Sequence, residues 1–232
     1  MIEIRRPIPA TTIKLILWDL DGTLVDSELD LAHSINAMLR HLKRPELPIE
    51  VVASYIGDGA PMLVRRALGD PQDESFVQSA LEYFMAYYRE HKLDNTFVYP
   101  GVLETLQAIR QHRTIQMAVL TNKPINPSLG ICDGLKLTEY MTNIVGGNSF
   151  PTKKPDPHGA RVLLEEHGAA ATEAVMIGDS QNDVLTANNA GMYSIGVTYG
   201  LSPESLKIHK PDVLIDHPAE LLEVLGLGAP AK

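Results

Sequence analysis

Four places along the chain hold residues that could do chemistry together. Asp19 and Asp21 close a near-continuous apolar run, Ile13 and then 15–18, inside the stretch I-K-L-I-L-W-D-L-D-G-T-L-V-D-S at 13–27. Such a short run, stopped by Asp and Gly, suits a parallel strand buried on both faces. In open α/β sheets ligands bind at the carboxyl ends of the strands, and two carboxylates there are costly unless a cation or a reaction needs them. At 177–183, I-G-D-S-Q-N-D, Asp179 projects from a second strand end and Asp183 follows one helical turn later, so both can face one point. At 119–124, V-L-T-N-K-P, the Thr121 hydroxyl and the following amide can hydrogen-bond a phosphoryl oxygen. At 153–157, K-K-P-D-P, two prolines stiffen the segment so that a lysine is held in one direction. Each site has an ordinary explanation when taken singly: solvated strand-end aspartates, helix caps at Thr121 or Asp179, a solvated lysine pair. A cap does not explain Asp179 and Asp183 together beside another acidic strand end.

The run Asp19-Leu20-Asp21-Gly22-Thr23-Leu24-Val25-Asp26-Ser27 resembles the first signature of the haloacid dehalogenase superfamily, in the phosphatase form where a second aspartate follows the first by two. The resemblance extends over about 12–225 and takes in four motifs. It implies that Asp19 attacks phosphorus and Asp21 handles the proton. Thr121 becomes the phosphoryl-binding hydroxyl, with Asn122 adding its backbone amide. The third motif places its lysine directly before Pro-x-Pro, which selects Lys154 over Lys153. The fourth, G-D-S-x-x-D, supplies Asp179 and Asp183.

Gathered in one crevice, Asp19, Asp21, Asp179 and Asp183 bring up to four negative charges that cannot all stay ionised without a cation. Oxygen-only ligands with a phosphate to complete the shell point to Mg²⁺. Its expected direct ligands are the carboxylates of Asp19 and Asp179 and the backbone carbonyl of Asp21, with Asp183 in the outer shell, orienting metal-bound water. The eight histidines are scattered and form no H-E-x-x-H. The expected reaction is phosphomonoester hydrolysis through an aspartyl phosphate on Asp19. Asp21, crowded by like charges, is expected to keep a proton more readily than a free aspartate and to serve as acid and then base.

The composition fits this reading. Of 232 residues, 21% are charged and 44% hydrophobic, as in an ordinary globular protein. A net charge of -9 with no basic block argues against nucleic acid as a partner. A single cysteine excludes an internal disulfide and a cysteine-based metal cluster, which is compatible with a reducing cytoplasm. Segment 1–12 lacks the apolar core of a signal peptide, and no run approaches the ~18 apolar residues of a membrane span. The expectation is a cytoplasmic protein without a membrane partner, as a monomer or homodimer, acting on a small phosphorylated metabolite.

Around these residues, further short apolar runs at 115–120, 143–145, 174–177, 194–197 and 213–215 alternate with helical spacing at 102–109, 157–167, 183–190 and 218–225. That alternation predicts an α/β, Rossmann-like core with a parallel sheet. Segment 27–99 is far longer than a βα connection of about 2–6 residues and has helical spacing at 29–42 and 75–91. The predicted organisation is a catalytic core, 1–26 and 100–232, with a helical cap, 27–99, re-entering the core through Tyr99-Pro100-Gly101. The apolar stripe of 75–91 reads as packing inside the cap.

Within the cap, Y-I-G-D-G-A-P-M-L-V-R-R-A-L at 55–68 sets Gly57 and Gly59 before a helix start, where exposed amides suit an anion. This loop, with Arg66 in particular, resembles that of bacterial phosphoglycolate phosphatases, which implies 2-phosphoglycolate as substrate and Arg66 as a grip on its carboxylate. A solvated helical arginine is the plain alternative. Two other functions share many of these residues: a β-phosphoglucomutase-like phosphotransferase, and a non-catalytic phospho-accepting signalling module. The module would need neither the cap nor Asp21.

Overall fold

The structure, a computed structural model, describes residues 1–112 and 114–228. The far end of the expected core unit, at 232, lies outside the described residues. In chain order the strands are β1 (Glu3–Ile4), β2 (Leu15–Trp18), β3 (Val25–Asp26), β4 (Phe97–Val98), β5 (Gln116–Leu120), β6 (Asn143–Val145), β7 (Ala174–Gly178), β8 (Tyr193–Val197) and β9 (Val213–Ile215). The helices are α1 (Glu28–His41), α2 (Ile49–Ala53), α3 (Ala60–Ala67), α4 (Glu74–His91), α5 (Val102–Gln111), α6 (Ile125–Gly134), α7 (His158–Glu166), α8 (Gln181–Ala190) and α9 (Glu220–Val224). Among the described residues no helix is long and apolar enough to cross a membrane.

Seven strands form one sheet in the order β1-β9-β8-β7-β2-β5-β6, parallel throughout except for β1, which pairs antiparallel with β9 at an edge. Helices on both faces explain why all four residues of β2 are buried. Its side chains alternate between two cores. Leu15 and Leu17 pack in a cluster with Ala160 and Leu163 of α7 and Ala187 of α8. Ile16 and Trp18 join a larger cluster that runs through Leu106 and Ile109 of α5 into the insert helices.

Register aligns the carboxyl ends of the three central strands. Trp18 pairs with Val119 of β5 on one side and Ile177 of β7 on the other. Asp19 therefore lies level with Leu120 and Gly178, and Thr121 and Asp179 follow one residue further along. Two carboxylates and a hydroxyl thus emerge from neighbouring strand tips.

Between β3 and β4 the chain departs into α1–α4. The two strands pair antiparallel, Val25 opposite Val98 and Asp26 opposite Phe97, so departure and return share one ribbon. Buried Asp30 fastens this ribbon: its carboxylate accepts from the backbone and side chain of both Asn95 and Thr96. In the insert α1 packs on α2 and α4, and α3 on α4. The buried face of α4 is Val77, Ala80, Phe84 and Tyr88, at helical spacing.

The expected strands and helices fall within two residues of their observed bounds. Four features carry no clear sequence signal: β1, the β3–β4 ribbon, α2 and α6. Pro127, Gly130 and Gly134 argue against a helix, yet Pro127 sits in the first turn of α6, where amides lack intrahelical partners in any case.

Candidate active site

The tip of β2 places Asp19 at the centre. Its Oδ1 accepts from the Leu20 amide at 2.7 Å and lies 2.9 Å from Lys154 Nζ. Lys154 is buried and bridges to Asp183 Oδ1 at 2.6 Å. The lysine expected from the Pro-x-Pro context is thus the one at the acidic strand tips, while Lys153 donates to the backbone carbonyl of Asp58. Burial disfavours the Lys154 charge, but Asp183 and Asp19 outweigh it and hold the ammonium above its ordinary range. Asp183 Oδ2 accepts from the backbone and hydroxyl of Ser180, closing a capping box at the start of α8. Gly178 leaves the room this requires: a Cβ there would stand 2.0 Å from the Asp183 carboxyl carbon.

Carboxylate oxygens of Asp19, Asp179 and Asp183 lie within 4.8 Å of one another, and all three residues are buried. Burial pushes the Asp179 carboxyl up to about 8, with Asp183 and Asp19 adding to the shift and the amides of Ser202 and Leu201 opposing it. Burial likewise raises Asp19, against Lys154 and with Asp183. Such a cluster is poised for a hard divalent cation, which removes the like-charge conflict. The hydrogen bonding fits this use. Asp179 Oδ2 is taken by the Leu201 and Ser202 amides, and Asp19 Oδ1 by Leu20 and Lys154. Among the described residues, Asp179 Oδ1 and Asp19 Oδ2 have no donor. Asp183 has both oxygens engaged, which suits support rather than ligation. Gly22, at φ +82°, passes so close to Asp179 that a Cβ would stand 2.3 Å from Oδ2.

Asp21 departs from expectation. Three carboxylates converge, not four, because Asp21 turns aside. Both its oxygens lie 3.0 Å from Lys123 Nζ, and Oδ1 accepts from Ser27 at 2.6 Å. Crowding by like charges therefore falls on the other three aspartates, and Asp21 faces an ammonium. Sequence reasoning misses Lys123 because a lysine beside a strand end usually points to water. Here it is buried and lies 4.6 Å from the centroid of the Tyr88 ring on α4. Burial works against its charge, yet Asp21 more than restores it. The α4 stripe is packing, as expected, but its last member also reaches the site.

Thr121 is buried at the tip of β5, its hydroxyl accepting from the Lys123 amide at 3.3 Å. The Asn122 side chain, beyond the backbone amide expected to contribute, donates to the carbonyls of Gly57 and Lys154, both at 3.0 Å. It thereby ties the insert loop to the sheet. Asn182 on α8 adds a bond to Asp58 Oδ1 at 2.9 Å. Gly59 takes φ +83° at the start of α3, and a Cβ there would come within 2.7 Å of the Asn122 carbonyl oxygen. Arg66 has other business than the cleft: its guanidinium donates to Asp58 Oδ2 at 2.5 Å and to the Tyr55 carbonyl at 3.2 Å. Arg65 is engaged by Glu74 and the Pro71 carbonyl.

The cavity above Asp19 is lined on the sheet side by Asp21, Thr121, Lys123 and Asp179, and on the insert side by Leu31, Ile56, Gly57, Gly59, Leu63, Phe84 and Tyr88. Residues 16–197, which include every strand tip just described, match the family described as haloacid dehalogenase-like hydrolase. Over 222 residues the chain is 39% identical to a phosphoglycolate phosphatase of Photobacterium profundum, covering 93% of this chain and 96% of that one. Identity to a phosphoglycolate phosphatase of Pseudomonas syringae pv. syringae is 41% over 218 residues, 91% of this chain and 77% of the other. The fold is similar to the crystal structure of a predicted phosphoglycolate phosphatase from Haemophilus somnus, with a TM-score of 0.86 at 33% identity, covering 92% of this chain and 98% of that chain. The chain belongs to the haloacid dehalogenase-like hydrolase family.

Proposed function

We propose that this protein is a Mg²⁺-dependent phosphomonoester hydrolase that works through an aspartyl phosphate on Asp19, acting on a small metabolite such as 2-phosphoglycolate. The observation that carries the reading is the state of Asp19, which lines the cavity together with Asp179, with Oδ1 held by Leu20 and Lys154 and Oδ2 without a donor among the described residues. The names of the relatives at about 40% identity support the substrate. Asp19 and Asp179 would hold the ion through their carboxylates and Asp21 through its backbone carbonyl. Mg²⁺, when bound, supplies positive charge against the dianionic phosphoryl group.

The remaining work falls to the chain. The Asp19 carboxylate attacks phosphorus in line as the ester P–O bond breaks. Asp21, entering the step protonated with the substrate in place, gives that proton to the departing alkoxide, then takes one from the water that attacks the phosphorylated Asp19, restoring both groups. Thr121 and Lys154 hold phosphoryl oxygens, and Lys154 offsets charge that would otherwise repel the nucleophile. Asp183 fixes Lys154. Residues 1–26 and 100–232 act as the catalytic core and 27–99 as a cap, which excludes water while its 57–59 loop is fastened by Asn122, Asn182 and Lys153. A cytoplasmic location and a monomeric or homodimeric state belong to the same proposal.

A phosphate-release screen with Mg²⁺ over 2-phosphoglycolate, sugar phosphates, nucleotides and pyrophosphate tests it. Release is expected to be fastest from 2-phosphoglycolate and to stop on chelation. Absence of phosphate from every substrate would refute hydrolysis.

A further inference from the structure

Resting on the reading of a small phospho-carboxylate substrate, we infer that Lys123, with the Tyr88 hydroxyl next to it, forms the carboxylate subsite. A substrate carboxylate needs a positive partner in a largely apolar chamber, because an unpaired charge there is costly. Among the described residues lining the cavity, Lys123 is the one cation. The insert's own candidate is taken: Arg66 is spent on Asp58 and Tyr55 and is not part of the lining.

Size points the same way. In 2-phosphoglycolate the carboxyl carbon is two bonds from the ester oxygen, so whatever reads the carboxylate must sit beside whatever protonates that oxygen. Lys123 meets this condition, with its ammonium 3.0 Å from both oxygens of Asp21. An ammonium has three donors, so it can hold Asp21 and still reach a ligand. Tyr88 supplies an independent sign. Its hydroxyl is buried on the same cavity and has no hydrogen-bond partner among the described residues. Buried hydroxyls are rarely left so, and a carboxylate oxygen would satisfy it. Burial pushes its pKa up to about 12, which keeps the proton available for donation. Apart from the 57–59 loop, the remaining insert wall is apolar, with Leu31, Ile56, Leu63 and Phe84, which suits a short two-carbon acid.

The test is the ratio of kcat/KM for 2-phosphoglycolate to that for 2-hydroxyethyl phosphate, which has the same length but no carboxylate. In the unaltered protein the ratio should be large. Lys123→Met should lower it by roughly 100-fold, the loss expected of a charge-assisted bond to a buried partner. Any fall common to both substrates reports instead on the support Lys123 gives Asp21. Lys123→Arg should recover part of the ratio, and Tyr88→Phe should lower it about 5-fold, chiefly through KM. Should Lys123→Met fail to fold, Lys123→Gln and Tyr88→Phe carry the same comparison. A ratio preserved in these variants overturns the subsite while leaving the substrate reading intact. A ratio near one in the unaltered protein refutes the substrate reading, and the subsite with it.

Discussion

On the sheet side of the cleft three of the four carboxylates already meet a cation: Lys154 lies between Asp19 and Asp183, and Lys123 faces Asp21, while Asp179 has backbone amides alone. On the insert side the wall is largely hydrocarbon, and polarity is confined to the Tyr88 hydroxyl and to the 57–59 loop with its hydrogen bonds to Asn122, Asn182 and Lys153. The contrast separates two jobs. Groups that meet developing charge gain from being fixed and desolvated before substrate arrives, since nothing then has to reorganise. A wall that must exclude water and release product gains from weak, replaceable contacts. Breaking the first side should cost far more than breaking the second.

The largest effect is expected for Asp19→Asn, which should lower phosphate release by at least about 10⁴-fold with an unchanged melting curve. Lys154→Met comes next. It should reduce kcat about 10³-fold and also destabilise the fold by about 3–5 kcal/mol, because Asp19 and Asp183 lose a shared buried counter-charge. Urea unfolding beside the kinetics checks both parts.

A pH experiment addresses the same side. Without metal, native Asp179 keeps a proton up to about pH 8, whereas the unfolded chain loses it near its ordinary value of 3.8. Folding therefore takes up a proton between these limits, and this group's contribution to stability declines as pH rises through that window. The melting temperature in chelator should fall across it, more steeply than in Asp179→Asn. Added Mg²⁺ should raise stability more at the alkaline end, where no proton has to be displaced.

On the insert side Asn182→Ala should raise KM only about 5-fold, since it removes neutral or singly charged hydrogen bonds to the loop. Arg66→Ala should be smaller still, within about 3-fold. A loss at Arg66 as large as that at Asp19 would erase the distinction between the two walls.

The same division marks what could be read from the sequence. Strand tips were legible because a parallel strand buried on both faces leaves a compact apolar run, and its end is marked by Asp19, Thr121 or Asp179. Strand order and register are seen only in the pairing of Trp18 with Val119 and Ile177. Lys123 and Tyr88 could not be paired in advance: one follows a sheet strand and the other lies within a helix, 35 positions earlier in the chain, and only the return of the insert through the β3–β4 ribbon brings them together. That ribbon is itself two residues per strand, too short for any periodicity to show. Arg66 misled for a related reason. Its helix and position matched a resemblance, but Asp58 between the two glycines supplies a carboxylate within the insert itself, and one acidic loop residue is enough to hold a guanidinium.

The most direct measurement is acid quench of the protein during turnover, followed by peptide mass mapping. Phosphate should appear on the peptide containing Asp19 and vanish in Asp19→Asn. Steady phosphate release with that peptide unmodified, or with phosphate carried elsewhere, would contradict covalent attack by Asp19.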